Sequence, residues 1–304
     1  MSMKKYAAIV FIGRFQPLHE GHLRTISLAL EQGERLVIVL GSYKRASSLE
    51  NPWTAQERQS MILSCLSEPE KKRVSFVPIA DELYRPQAWV DNVMEGVGRL
   101  VLPSETVALI GHHKDASSYY LKNFPNWPLI ETGNYGKLNS TNLREAYFCT
   151  GFYEDKNLPQ PVRSYLEEYQ KTETFSLLRE EFLFQKSTSK IDILDHALCL
   201  CEKTFLVGRR RQCPGKNTLA LPQIIDYQKY KDFFVRSQEF QDSVKNSPEA
   251  QISRVFLYQF SQENRPQNLN GDENFWITRE EWEALEPQFF SNHYQKIKFV
   301  LENF

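Results

Sequence analysis

Apolar positions follow two rhythms along the first half of the chain. Four short runs, YAAIVFIG, RLVIVLGS, VSFVPIAD and TVALIGHH, are apolar almost throughout. That pattern, at that length, marks strands buried on both faces. Between them, HLRTISLALEQG, TAQERQSMILSCLS and PQAWVDNVMEGVGRL repeat apolar residues every third or fourth place, as amphipathic helices do. Gly33 is positioned to end the first helix, and Thr54 with Glu57 three places on predicts a capping box opening the second. Strands joined by helices of this length imply right-handed βαβ units, hence an α/β class with a doubly wound parallel sheet. Ligands on such sheets sit beyond the carboxyl ends of the strands.

After NSTNLREAYFCTGFYED the rhythm changes. PVRSYLEEYQKTETFSLLREEFLFQ is mostly helical in pattern, and KSTSK is a short polar break. From Ile191 the chain is β-rich: ILDHALCLCEKTFLVGRRR reads as a hairpin-like pair and ISRVFLYQF as a further strand. FFSNHYQKIKFVLENF closes the chain as an amphipathic helix. A chain of 304 residues exceeds the usual size of a single core. The boundary is expected near 185–190, giving domains 1–185 and 186–304, the second a smaller α+β unit.

Composition narrows the classes. The formal charge of −1, with no Lys/Arg run beyond Arg209–Arg211, gives no footprint for nucleic acid or an acidic membrane. No apolar stretch reaches spanning length, and the short basic start lacks a cleavage pattern, so a cytoplasmic protein is expected. Five cysteines without a CxxC pair read as small buried thiols rather than a zinc site, with Cys199 and Cys201 on one face of a strand.

The stretch GRFQPLHEGH, residues 13–22, follows the first strand. Gly13 permits a tight turn and close approach to a phosphate, and Pro17 stiffens the loop. A helix starting between Glu20 and His22 would present free N–H groups and its positive dipole end to an anion. His19 and His22, three apart, would share a helix face and stabilise charge developing on a transferred phosphoryl group. Arg14 adds a planar donor for phosphate oxygens. Further along, Ser140 or Thr141 can cap a helix whose first turn projects Arg144. A zinc reading of the histidines lacks a third ligand at suitable spacing. On their own these residues point to phosphate binding and leave the substrate open.

GRFQPLHEGH also resembles the H-x-G-H signature of the nucleotidylyltransferase superfamily, and its GRFQP prefix resembles the archaeal-type nicotinamide mononucleotide (NMN) adenylyltransferases. NPWTAQER (51–58) is similar to that family's NPFTAGER segment, and IADELYRPQAW (79–89) to its loop with an acidic residue and a Trp for nicotinamide. NSTNLREAY (139–147) resembles its late S-T/S-x-x-R segment. The resemblance spans about residues 5–150 and implies a Rossmann-like fold. It implies attack of the NMN phosphate on the α-phosphorus of ATP, giving NAD and pyrophosphate, with Mg²⁺ accompanying the ATP. Catalytic roles would fall to His19, His22, Arg14 and Arg144. ATP binding would fall to Gly13, Phe15, Gly21, Gly111, Ser140 and Thr141, and NMN binding to Asp81, Trp89 and Asn51. His112 and His113 receive no role. Relatives assemble, so a homo-oligomer is expected.

The second half resembles the Nudix domain fused to this transferase in bacterial bifunctional proteins: LVGRRRQCPGKNTLALP and GDENFWITREEW match its frame. The Nudix box is missing, with no Gly-Gly after ALP and no glycine between 216 and 270. Arg279, Glu280 and Glu281 imitate part of the box but read as an acidic helix start, and Glu239, Asp242 and Glu249 are scattered. A Nudix-like domain without pyrophosphatase activity is therefore expected. The alternatives left open are another H-x-G-H transferase, an aminoacyl-tRNA synthetase relative, a nucleotide sensor, and residual ADP-ribose hydrolysis.

Overall fold

The computed structural model describes residues 4–112, 123–133, 139–150, 156–187, 196–211, 219–222, 228–242, 251–266, 269, 273–290 and 292–303. The chain forms two compact units, Met1–Arg179 and Glu180–Phe304.

The first unit alternates strand and helix as the pattern predicts: β1 (Tyr6–Gly13), α1 (Glu20–Gln32), β2 (Gly33–Tyr43), α2 (Ala55–Ser64), α3 (Glu68–Lys71), β3 (Val74–Ala80), α4 (Pro86–Gly98), β4 (Val107–Gly111), β5 (Leu129–Glu131), α5 (Ser140–Thr150) and α6 (Gln160–Tyr169). Its strands lie in the order β3-β2-β1-β4-β5, every pairing parallel. Alternate residues of each strand face opposite sides of the sheet. Ala8, Val10, Ile12, Val37, Val39, Val77, Ile79 and Leu109 form one core with Val90, Val93 and Val97 of α4. Right-handed crossovers put α1 and α2 on the other side. The order reverses between β1 and β4, so the loop leaving β1 opens at the switch point where α/β sheets bind ligands.

Gly33 stands at the end of α1 as expected, but in a different conformation. Its backbone is extended (φ −107°, ψ 154°), and it opens β2 directly. A Cβ there would lie 2.9 Å from Ile9 Cγ1 and 3.1 Å from Arg35 O, so close packing rather than a left-handed turn requires the glycine.

In the second unit, α7 (Glu173–Ser187), which carries the division between the units, is followed by a mixed six-stranded sheet. Its strands are β6 (His196–Cys201), β7 (Thr204–Arg209), β8 (Leu219–Ala220), β9 (Phe234–Asp242), β10 (Gln251–Phe260) and β11 (Glu273–Thr278). They run β11-β7-β6-β10-β9 with β8 on β7; β6 and β10 are parallel and the other pairs antiparallel. Two helices close the unit, α8 (Arg279–Ala284) and α9 (His293–Asn303). Cys199 and Cys201 face one core together, and burial pushes the Cys199 thiol up to about 12. The expectation of buried thiols fails at Cys149, exposed in the last turn of α5, and Cys65 is half-buried. Cys213 and most of the CPGKNTLALP segment lie outside the described residues. Among the described residues no helix is long and apolar enough to cross a membrane.

Gly96 of α4 offers a direct check of how tightly the sheet is covered. A Cβ there would stand 2.5 Å from Val77 Cγ1 on β3. Gly96→Ala gains about 1 kcal/mol of helix propensity, yet the overpacking should prevail and lower stability by roughly 1–3 kcal/mol, read as a reduced urea midpoint.

Candidate active site

At the carboxyl end of β1, Gly13 and Phe15 are coupled. Phe15 takes a left-handed backbone (φ 52°) and is buried, a strained choice for an aromatic residue that surrounding packing must enforce. Its ring meets Phe11 edge-on at 5.1 Å and lies 4.8 Å from the His22 ring. A Cβ on Gly13 would come within 3.0 Å of the Phe15 ring. The glycine thus makes room for a ring that backs His22, in addition to whatever approach it allows a ligand.

His19 is the N-cap of α1 rather than a helical residue, and His22 is its third residue. The two imidazoles form a reciprocal capping box: His19 Nδ1 accepts from His22 N at 3.3 Å, and His22 Nδ1 accepts from His19 N at 3.4 Å. The rings stack at 3.7 Å between centroids. A nitrogen that accepts a backbone N–H cannot itself carry a proton, so each ring bears its N–H on Nε2. The helix N–H groups are less available to an anion than the spacing suggests, because Glu20 N donates to Asn157 O at 2.9 Å and His22 N to His19.

Three guanidinium groups surround the same loop. Arg58, buried on α2, donates from Nη1 to Arg14 O (2.7 Å) and Gly41 O (2.8 Å). Arg144, buried on α5, donates from Nη1 to Gln16 O (2.6 Å) and from Nε to Leu49 O (2.8 Å). Burial, helped by the charge of Arg14, pulls each down to about 10. Both stay charged near neutral pH. Gln16 completes the clamp by exchanging two hydrogen bonds with the backbone of Trp53 at 2.9 and 3.1 Å. Segments 13–22, 48–58 and 139–147, distant in sequence, are thus tied into one corner. Arg58 lies within the TAQER segment but has no signal of its own in the sequence; only its burial reveals it.

The other expected site residues divide. Ser140 and Thr141 do not cap α5 as expected: both lie in its first turn, and Asn139 Oδ1 accepts from Thr141 N at 3.0 Å. An Asn one position earlier serves the cap, leaving Thr141 Oγ1 to Arg144 (3.4 Å) and Ser140 Oγ to Pro17 O (3.5 Å). Gly21 is buried in α1 and Gly111 ends β4. Asn51 is buried next to the Ser48 turn, and its Oδ1 has no hydrogen-bond partner. Asp81 follows β3 and accepts from Ser42 N and Oγ (both 3.2 Å) and from Arg45 Nη1 (3.0 Å). Trp89 on α4 packs against the sheet core and meets Phe124 edge-on at 6.4 Å. His113 lies outside the described residues. No group of three potential metal ligands occurs among the described residues.

Residues 10–146 match the cytidylyltransferase-like family. A nicotinamide/nicotinic acid mononucleotide adenylyltransferase from Acinetobacter baylyi is 39% identical over 190 residues, covering 62% of this chain and 100% of that protein. A nicotinamide-nucleotide adenylyltransferase from Pyrococcus furiosus is 26% identical over 174 residues, 56% of this chain and 87% of the relative. Among solved structures, a bifunctional NMN adenylyltransferase/ADP ribose pyrophosphatase from Francisella tularensis superposes with a TM-score of 0.86 at 24% identity, over 98% of this chain and 99% of that one. The same protein has been solved with AMP and a manganese ion. Both units therefore share their folds with that protein.

Removing the Arg58 clamp tests the architecture. Arg58→Met leaves the carbonyls of Arg14 and Gly41 without their donor and should cost about 2–4 kcal/mol of stability, measured by denaturant unfolding. A loss below about 0.5 kcal/mol, typical of a surface site, would mean the corner does not depend on it.

Proposed function

Because the chain belongs to the nicotinamide-nucleotide adenylyltransferase family, we propose that the corner at the end of β1 joins ATP to a pyridine mononucleotide. A phosphate oxygen of the mononucleotide attacks the α-phosphorus of ATP, the bond from that phosphorus to the bridging oxygen breaks, and pyrophosphate leaves. The products are NAD, when NMN is the acceptor, and pyrophosphate. The observation carrying this reading is the pair of imidazoles whose Nδ1 atoms are committed to the α1 cap. Their Nε2–H groups are fixed in place and need no reorganisation as charge grows on the phosphoryl oxygens.

Arg14 supplies further positive charge at that corner, and Arg144 and Arg58 act through the loop they hold. Gly13, Phe15, Gly21, Gly111, Ser140 and Thr141 are assigned to the ATP side, and Asp81, Trp89 and Asn51 to the mononucleotide side. Mg²⁺ enters as part of the MgATP substrate, held by phosphate oxygens as is usual for this ion. Domains 1–185 and 186–304 divide the labour, and the enzyme works as a homo-oligomer.

The second unit is a Nudix-like domain that does not hydrolyse ADP-ribose. Supporting this, Glu281, the best candidate for a surviving box carboxylate, is used as a helix cap: its Oε2 accepts from Thr278 N at 2.7 Å. The side chains of Glu239 and Asp242, and Glu249 as a whole, lie outside the described residues.

His22→Asn separates the cap from the chemistry, because an Asn Oδ1 can still accept from His19 N but offers nothing in place of Nε2–H. NAD formation from MgATP and NMN should fall by about a hundredfold or more, with the unfolding midpoint nearly unchanged; near-normal turnover would sink the assignment. Incubation of the full chain with ADP-ribose and Mg²⁺ should release no AMP. Release that persists in the His22→Asn variant would show an active second unit.

A further inference from the structure

The segment after α5 has no part in the reaction described above, yet it is bonded to both sides of the candidate active-site corner. Asn157 O accepts from Glu20 N, the first helical residue after the His19 cap, at 2.9 Å. On α6, the Tyr169 hydroxyl donates to Pro52 O at 3.0 Å, and the Tyr165 hydroxyl donates to Glu57 Oε1 at 2.6 Å. Tyr147 of α5 fastens α6 in turn, its hydroxyl donating to Leu166 O at 2.7 Å. The family match ends at residue 146, so this brace lies beyond the residues that the match covers.

The Tyr165 bond differs from the others in ending on a charged side chain. Glu57 is tied to the start of α2 through its other oxygen: Oε2 accepts from Thr54 N and Thr54 Oγ1, both at 2.7 Å. Thr54 O in turn accepts from Arg58 Nε at 3.2 Å. A guanidinium is planar and rigid, so that bond also sets where Nη1 points, which is to Arg14 O and Gly41 O. Gly41 matters because the stem of Arg14 lies along it: a Cβ there would stand 3.7 Å from Arg14 Cγ. Arg58 thus fixes both the backbone of Arg14 and the surface on which its side chain rests. An unbroken run of contacts, from Tyr165 through Glu57, Thr54 and Arg58 to Arg14, connects α6 to the loop that leaves β1.

We propose that Tyr165 is a positioning residue of the transferase: by holding the Glu57 carboxylate it keeps Arg58, and through Arg58 the Arg14 guanidinium, where charge develops on the phosphoryl oxygens. This rests on the adenylyl-transfer reading above. Burial and the Glu57 carboxylate push the Tyr165 hydroxyl well above its usual range, so it remains protonated and a donor in neutral and alkaline solution. Without the hydroxyl, Oε1 loses that donor, and the half-buried carboxylate turns to regain one. The Thr54 turn from which Arg58 is aimed moves with it. A small displacement of a group that acts on the transition state costs rate while leaving the fold in place.

The test compares full-length wild type, Tyr165→Phe, Glu57→Ala and the double variant, reading kcat, the KM values for MgATP and NMN, and the urea midpoint. Tyr165→Phe keeps the ring stacked on Tyr169, 6.1 Å between centroids, and removes only the hydroxyl. Its kcat should fall by about tenfold or more, with the urea midpoint near that of wild type. Both KM values should stay within about twofold of wild type, because the displaced group acts on the transition state. In the Glu57→Ala background the same change should lower kcat no further, since both act through one bond. The proposal is overturned if the kcat of Tyr165→Phe stays within about twofold of wild type. It is equally overturned if KM and the urea midpoint worsen in step with kcat, as for a packing support, or if the two changes multiply. Where Glu57→Ala fails to fold, the kcat-against-KM split in Tyr165→Phe decides alone. A wild type that forms no NAD from MgATP and NMN would instead refute the adenylyl-transfer reading itself.

Discussion

Two buried guanidinium groups hold the first unit's candidate active-site corner together, and they do so through backbone carbonyls. Arg58 donates to Arg14 O and Gly41 O where the paired strands β1 and β2 end, and Arg144 donates to Gln16 O and Leu49 O, joining two loops that no strand pairing connects. Carbonyl oxygens satisfy the donors of a buried cation without cancelling its charge. Arg14 adds a third positive charge nearby, and burial lowers both arginines only to about 10, well above neutrality. Preorganised charge of this kind is what a reaction that moves negative charge between phosphates requires.

The histidine cap obeys the same economy of structure. A Ser, Thr or Asp at the N-cap would satisfy the backbone equally well, but it would bring no second ring nitrogen. Imidazole has two nitrogens, of which the cap uses one, Nδ1, on each ring. Behind it, Phe15 is forced into a left-handed backbone so that its ring supports His22. Deeper still, Trp53, Tyr147 and Tyr169 pack against one another, with Tyr147 and Tyr169 hydroxyls donating to Leu166 O and Pro52 O. The rigid backing explains how strained residues persist at the surface it supports.

The second unit disposes of its titratable groups differently. His293 is buried, accepts from Leu221 N at 3.0 Å through Nδ1, and meets His196 edge-on at 4.5 Å. Burial, with His196 and Lys296 nearby, holds it well below the usual histidine range, so it serves as a neutral packing group. Thr278 and Glu281 spend their polar atoms on the start of α8. Polar groups in the described part of this unit thus stabilise its frame.

Periodicity alone determined the alternation of strands and helices in the first unit, because burial on both faces writes unbroken apolar runs and helices write a spacing of three to four. The Thr54–Glu57 cap was equally legible, its reciprocal bonds being local. Short or polar elements escaped: β5 has three residues, and β9, FVRSQEFQD, carries too many polar positions to announce a strand. The site was legible where its residues are neighbours in sequence, as His19 and His22 are. Tertiary structure alone decided that Arg58 and Arg144 share the loop with Gln16, that Asn139 rather than Ser140 or Thr141 caps α5, that Gly33 answers to Ile9, and that Arg45 finds Asp81. Each of these contacts joins parts of the chain brought together by the sheet or by a turn. A one-dimensional pattern records which face a residue buries, but not which distant carbonyl or carboxylate it will meet there.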